Sequence, residues 1–428
     1  MSYPDSVRYL YSLGNELKAG AKLGLERITA LLAALNDPQQ NRRFVHVAGT
    51  NGKGSTCAMI DSAMRAEGLR TGLYTSPHLI SPTERIRLNG REISANLFAE
   101  LFAIVHDKAE AMVERGELDA HPTYFETITA MAFLAFKDET DMAVIEVGLG
   151  GRLDATNVIH PDLCVITPIA FDHEAYLGRT LSAIAGVKAG ILKPNVPTIV
   201  AQQHEEADAV IAARARELEC NVFRTSDIEV TDLRLSPYGS SFFVNDYSFT
   251  CPLPGRHQVE NARTAIAACT ALGLGTAAIQ AGIARARWPG RLQVVSHDPD
   301  FILDGAHNPA GAQALAAYIN EFYSDRPVWL VYGTMRDKAI EEVTGQLFPL
   351  ASKLILTAPD FPRAVRSDAL LEIADHPNAV AASNVPAAIE LAYQAPTEAA
   401  VFFTGSLFVV AEALALLRPH YQEDGLLQ

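Results

Sequence analysis

Positive charge is scarce in this chain: Lys and Arg number 35 against 50 Asp and Glu, a formal net charge of -15. Such a balance gives no diffuse positive field for nucleic acid or an anionic membrane, so local cations must meet any anionic substrate. Cysteine is sparse too. Cys57, Cys164, Cys220, Cys251 and Cys269 are widely scattered, a spacing that excludes a disulfide frame and a Cys-rich zinc site. No long apolar run is uninterrupted. The most apolar stretch, Val401 to Leu417, contains Thr404, Gly405, Ser406 and Glu412, and reads as a buried strand, a turn and a helix rather than a membrane span. The opening Met-Ser-Tyr-Pro-Asp lacks the basic region and apolar stretch of a signal peptide, and the expectation is a cytoplasmic protein. Internal repeats and low-complexity segments are missing as well.

What is present is enough apolar material, 49% of 428 residues, to bury a sizeable core in about two or three domains. Ile28, Leu31, Leu32 and Leu35 recur at helical spacing before Asn36-Asp37-Pro38. Short apolar runs at Phe44–Ala48, Leu69–Thr75, Met142–Val147 and Leu163–Thr167 alternate with helical stretches, which predicts a mostly parallel sheet covered on both faces. Arg85–Ile93 reads as a separate small hairpin turning at Asn89-Gly90. A second alternation begins near residue 297, with runs at Phe301–Leu303, Val328–Val331, Leu354–Thr357 and Val401–Phe403. The Pro- and Gly-bearing Arg287–Arg291 lies just ahead of it. The fold class is therefore α/β. Two domains are expected: residues 1–294, a nucleotide-binding domain on a mostly parallel sheet, and a smaller Rossmann-like domain at 295–428.

The stretch Phe44-Val-His-Val-Ala-Gly-Thr-Asn-Gly-Lys-Gly-Ser55 sits between a predicted strand and a helix, the context of a phosphate-binding loop. In such a loop backbone N–H groups point at phosphate oxygens, the helix adds its positive end, and the lysine, here Lys53, neutralises charge. One part is missing. The Ser or Thr that usually follows Gly-Lys to hold Mg²⁺ is replaced by Gly54. Other donors must reach a metal, and open sheets place ligands beyond the carboxyl ends of their strands. Three such ends carry candidates: Ser76 in Thr75-Ser-Pro-His78, Glu146 inside an otherwise apolar strand, and His173 after Asp172. A buried carboxylate without a cation is costly, so Glu146 argues for a metal or a buried basic partner. Ser76 alone would also suit a turn, and His173 alone an interior histidine.

The runs Gly-Thr-Asn-Gly-Lys-Gly-Ser at 49–55, Thr-Ser-Pro-His at 75–78, Thr-Tyr-Phe-Glu at 123–126, Gly-Leu-Gly-Gly-Arg-Leu-Asp-Ala-Thr-Asn at 148–157, Lys-Ala-Gly-Ile at 188–191 and Asp-Gly-Ala-His-Asn-Pro at 304–309, taken in order, resemble the folylpolyglutamate synthase family. Its bacterial members often also have dihydrofolate synthase activity, and it is allied to the muramyl-peptide ligases. The resemblance implies Ser76, Glu146 and His173 as Mg²⁺ ligands. It implies Lys188 as a carbamoylated lysine, whose negative charge suits a metal where an ammonium would not. Relatives commonly carry Glu before this lysine; here Val187 stands there.

ATP contacts are implied at Asn51, Gly52, Lys53, Gly54, Ser55, Asn261, Arg291 and Asp304. Pterin-side contacts are implied at Lys22, Leu23, Gly24, Thr123, Tyr124, Phe125, Glu126, Leu153, Asp154 and Ala155. His307 belongs to a motif linked to the glutamate-adding step, with Lys338 a weaker candidate. Bland readings stand beside these: Asn261 as a helix cap, Arg291 as a surface ion pair, Thr123 as the start of a capping box with Glu126. The implied activity is ATP-dependent ligation of L-glutamate to dihydropteroate or a reduced folate through an acyl phosphate. ATP and Mg²⁺ are the expected cofactors, with a monovalent cation as a further candidate. A monomer is expected, with neither nucleic acid nor membrane as partner.

Overall fold

The structure is a computed structural model that describes residues 2–13 and 24–418; Lys22 and Leu23 lie outside the described residues. The chain forms two compact units that interleave along the sequence. The first comprises Met1–Ile169, Leu181–Glu229 and Asn261–Ile283, the second Ala170–Thr180, Val230–Glu260 and Ala284–Gln428.

The first unit is built on an eight-stranded sheet. Its strands are β1 (Phe44–Ala48), β2 (Thr71–Tyr74), β3 (Ile86–Leu88), β4 (Arg91–Glu92), β5 (Met142–Glu146), β6 (Leu163–Ile166), β7 (Thr198–Val200) and β8 (Val222–Arg224), ordered β4-β3-β2-β5-β1-β6-β7-β8. The six strands from β2 to β8 across this order are parallel. Every residue of β1 is buried, because helices cover both faces of a parallel sheet and a central strand must then be apolar throughout. His46 is the exception in that strand, and it is fully buried. Ile28, Leu31, Leu32, Phe98, Phe102, Phe133 and Phe136 fill the core on one side.

The hairpin forms at Asn89-Gly90, where φ is 52° and 81°, the pair of positive values that a tight two-residue hairpin turn requires. It is not separate. β3 pairs antiparallel with β2, Tyr74 opposite Ile86, so the hairpin is the edge of the main sheet.

The second unit holds a six-stranded sheet of β12 (Gln293–Ser296), β13 (Asp300–Leu303), β14 (Val328–Tyr332), β15 (Lys353–Leu356), β16 (Ala379–Ala381) and β17 (Ala400–Thr404), ordered β12-β13-β17-β14-β15-β16 with only β12 antiparallel. The apolar segment after Val401 is the strand, turn and helix expected, with the helix at Leu407–Leu417. The same unit contains an antiparallel sheet of β9 (Val230–Ser236), β10 (Gly239–Val244) and β11 (Tyr247–Cys251). Sequence reading passed over it because exposed residues interrupt each of its strands, which are rich in Ser and Thr, so no contiguous apolar run marks them. Among the described residues no helix is long and apolar enough to cross a membrane.

Candidate active site

In the first unit the loops after β1, β2, β5 and β6 all leave the same edge of the sheet, and β1 lies between β5 and β6. The loop after β1 is shaped by glycine at two points. Gly49 has φ 151°, and a side chain there would run into Thr167, whose carbonyl oxygen lies 2.9 Å from the position of a Cβ. Gly52 has φ 84°, and its Cβ would meet the side-chain amide of Asn261. Thr50 and Asn51 donate their backbone N–H groups to Pro168 O at 3.0 and 3.2 Å. The loop is thus pinned between the segment after β6 and the helix Arg256–Ala271. Asn261 lies inside that helix, so it is not a helix cap.

The helix Lys53–Ala66 starts at Gly52 with no side-chain cap, which leaves its positive end to the loop. Gly54 lies in its first turn and Ser55 is buried there. Lys53 Nζ is 3.1 Å from both Gly49 O and Thr50 O, which holds the ammonium over the loop. Lys188 is buried, and its Nζ donates to Gly49 O at 2.7 Å.

Glu146 ends β5 and is 4% exposed. Its carboxylate accepts the backbone N–H of Ser76 at 3.1 Å. Burial, then the Glu146 charge, pushes the neighbouring Cys57 thiol well above its usual range, and Lys53 opposes them; these groups therefore share one electrostatic neighbourhood. Carboxylate and hydroxyl oxygens are the hard donors that Mg²⁺ takes, usually one or two carboxylates together with waters and phosphate oxygens. Among the described residues no three His, Cys, Asp or Glu side chains form a closed metal cage. A site of this kind fits an open magnesium–phosphate centre better than a structural metal.

On the substrate side, Thr123 and Glu126 do form a capping box, Glu126 N–H to Thr123 Oγ1 at 3.2 Å and Thr123 N–H to Glu126 Oε2 at 2.7 Å. Glu126 also pairs with Arg27 at 3.1 Å. Tyr124 stacks on Tyr11 with centroids 5.7 Å apart and lies under the Arg85 guanidinium. Phe125 packs against Gly148, where a Cβ would strike its ring. Gly24 and Leu153 are not buried, while Ala155 and Asp154 are. Burial raises Asp154 above the usual carboxylate range against the hydrogen bonds it accepts.

The second unit gathers a different set. Asp172 accepts Lys338 Nζ at 2.7 Å and Asn308 Nδ2 at 3.1 Å, with His307 Nε2 at 3.3 Å. Burial pushes the Asp172 carboxyl up, but the hydrogen bond and charge of His307, with Lys338 and His173, hold it far below the usual range. His173 is itself brought down to about 4, first by burial and then by Lys338 and His307, against the pull of Asp172. It is neutral at pH 7. His307 Nδ1 donates to Gly305 O at 2.7 Å. Asp304, also buried, accepts Leu292 N–H and Ala306 N–H at 3.0 Å each, and Arg291 is the main charge opposing its upward shift. Sequence reading named His173, His307 and Lys338 singly. It missed Asp172 as the hub joining them and Asn308 as a further spoke, although Asp172 precedes His173 and Asn308 follows His307.

Comparison with known proteins identifies the family. Residues 47–269 match the Mur ligase middle domain and residues 290–407 the Mur ligase glutamate ligase domain. The chain is 34% identical over 428 residues to the dihydrofolate synthase/folylpolyglutamate synthase of Bacillus subtilis (strain 168), covering 96% of this chain and 98% of that protein. It spans half the length of a Haloferax volcanii relative, a probable bifunctional folylpolyglutamate synthase/dihydropteroate synthase, to which it is 35% identical. Mycobacterium tuberculosis folylpolyglutamate synthase, solved with ADP and AMPPCP, superposes with a TM-score of 0.89 at 32% identity, covering 97% of this chain and 99% of that one. The chain therefore belongs to the Mur ligase family, in the branch of the dihydrofolate synthases and folylpolyglutamate synthases.

Proposed function

We propose that the chain is an ATP-dependent ligase that joins L-glutamate to 7,8-dihydropteroate, giving dihydrofolate, and to the γ-carboxylate of reduced folates, extending a γ-glutamyl chain. The observation that carries this is the glycine-bounded loop over an uncapped helix start, with Lys53 above it. Asn51, Gly52, Lys53, Gly54 and Ser55 cradle the phosphates, while Asn261, Arg291 and Asp304 receive the rest of the nucleotide. Ser76, Glu146, His173 and Lys188 are assigned to Mg²⁺, which when bound neutralises phosphate charge. Lys188 is assigned as a carbamate. That group keeps one N–H, so carbamoylation retains a donor for Gly49 O, which the lysine Nζ now meets. Gly24, Thr123, Tyr124, Phe125, Glu126, Leu153, Asp154 and Ala155 form the pterin side; Lys22 and Leu23, outside the described residues, are assigned to it by the resemblance alone.

The ATP γ-phosphoryl group passes to the substrate carboxylate, a reaction that depends on positioning and electrostatic stabilisation more than on covalent help from the protein. The glutamate amine then attacks the acyl phosphate and phosphate leaves. His307, held by Gly305 O and Asp172, serves the glutamate-adding step. Residues 1–294 act as the ATP-binding domain and 295–428 as the glutamate-ligase domain, a division supported by the two family matches. We place the protein in the cytoplasm as a monomer.

The test is phosphate release with ATP, L-glutamate and either dihydropteroate or tetrahydrofolate, omitting each in turn. Release that needs all three substrates with either folate is expected. Release with only tetrahydrofolate would leave a monofunctional synthase, and ATP binding without release would leave a nucleotide switch.

A further inference from the structure

We propose that His46 is a positioning residue, tying the strand that feeds the phosphate loop to the substrate-side loop Gly148–Asn157 through a directed hydrogen-bond relay. His46 lies at the centre of the sheet, three residues before Gly49, and is fully buried. Its Nε2 is 2.9 Å from Thr156 Oγ1, and Thr156 Oγ1 is 2.5 Å from Asp154 Oδ1. Asp154 also accepts Thr156 N–H on Oδ1 at 3.0 Å and Leu149 N–H on Oδ2 at 2.8 Å. One buried carboxylate thereby closes the loop, holding Leu149 near its start and Thr156 near its end.

The donor order follows from counting protons. Backbone N–H groups directed at both of its oxygens favour the ionised form of Asp154 against the pull of burial, and an ionised carboxylate only accepts, which puts the hydroxyl proton of Thr156 on the Asp154 side. Oγ1 then has only lone pairs to offer His46, and His46 Nε2 must carry the ring proton. Nδ1 is left bare, and among the described residues it has no hydrogen-bond partner. A core apolar residue would fill the same space but would leave Oγ1 without a donor and release the hydroxyl proton from its fixed direction, loosening the loop at Asp154. The structural role concerns the loop; its bearing on substrate rests on the folate reading above.

Two measurements separate the relay from that reading. In the ¹⁵N spectrum of the full chain, His46 should show a protonated Nε2 and an unprotonated Nδ1, and Thr156→Val should change that pattern. A protonated Nδ1 with bare Nε2, or a pattern indifferent to Thr156→Val, overturns the relay whatever the protein binds. By titration calorimetry, His46→Leu should weaken 7,8-dihydropteroate about tenfold, the scale of one lost hydrogen bond in a charged network, while ADP affinity stays within about twofold. His46→Gln, whose amide N–H reaches a similar distance, should recover most of the loss. Equal losses for both ligands, or equal behaviour of the Leu and Gln variants, reduce His46 to packing and overturn the proposal. Should His46→Leu not fold, Thr156→Val against Thr156→Ser reads the same contrast. A wild-type chain that binds no dihydropteroate defeats the folate reading and leaves the spectrum to decide the relay.

Discussion

Among the loops that run from a parallel strand into a helix, those after β1 and β13 treat the start of that helix in opposite ways. After β1 the cap position is Gly52, left-handed and without a side chain, so the helix Lys53–Ala66 begins uncapped. After β13 the cap is Asn308, whose Oδ1 accepts Gly311 N–H at 2.8 Å, and Pro309 fills the first helical position. A helix start that is capped from within has little left for a ligand; one left without a cap offers N–H groups and a positive end to an anion. The difference assigns the chemistry. The first loop presents backbone and Lys53, whereas the second presents the side chains of Asp304 and His307, with Asp172 beside them.

The largest expected effect comes from removing the one cation of the open loop. Lys53→Ala should lower turnover about a thousandfold, the scale seen when a group stabilising transition-state charge is lost. The melting temperature should stay within a few degrees, because among the described residues the ammonium bonds carbonyls of its own loop. Near-normal phosphate release by a folded variant would break the comparison. Gly52→Ala comes next. Left-handed backbone costs a non-glycine residue about 1–2 kcal/mol, and the new Cβ must displace Asn261. Its urea midpoint should fall accordingly and ADP affinity should drop, measured by calorimetry; unchanged ADP affinity would mean that the loop does not depend on this close approach.

Much of this was legible beforehand, and the limits are physical. β1 matches its predicted range to the residue, because a strand buried on both faces announces itself as an apolar run. The loop was legible through its glycines, and the capping box through the Thr123 and Glu126 spacing. That same box shows where sequence runs short: one residue pair satisfies a helix-end signature and a family motif equally well. The Asp172 hub was hidden for another reason. Its partners His307, Asn308 and Lys338 lie more than a hundred residues away, and no local pattern encodes which of several polar residues will meet after folding. His46 was passed over because in sequence it is one polar residue in an apolar strand, and only the position of Thr156 shows which of its nitrogens matters.

Acid separates His46 from Asp172. Burial, with Lys193 as the charge facing it, lowers His46 from the usual 6.5 to about 3. The unfolded chain therefore takes up this proton at higher pH than the folded one. The stability that depends on neutral His46 is fully present above pH 6.5 and is lost as pH falls toward 3. At pH 5 the loss amounts to about 2 kcal/mol. Asp172 is also depressed, but from an ordinary value of 3.8, so its contribution survives at pH 5 and is lost only below the normal carboxylate range. Urea midpoints at pH 7 and pH 5 should thus converge in His46→Leu relative to wild type, whereas Asp172→Asn should keep the wild-type difference. A wild-type difference retained by His46→Leu would show that other groups set the acid response.

The smallest effect is the most specific to the capped loop. Asn308 does two things with one amide: Oδ1 caps the helix Pro309–Phe322, and Nδ2 donates to Asp172 at 3.1 Å. Asn308→Ala should cost about 1–2 kcal/mol, a lost cap being worth about 1 and a hydrogen bond to a carboxylate somewhat more before solvent replaces it. Asn308→Ser separates the two. A serine hydroxyl still caps but is too short to replace the amide donor, so most of the cap energy should return while Asp172 keeps Lys338, His307 and the backbone N–H of His173. Asn308→Asp preserves the cap and sets a second carboxylate against Asp172, and like charges in a half-buried site repel. Ranked by urea midpoint, Ser should be the mildest of the three. An aspartate variant as stable as wild type would mean that Asp172 does not feel this position, and the closed loop would then be held by its backbone alone.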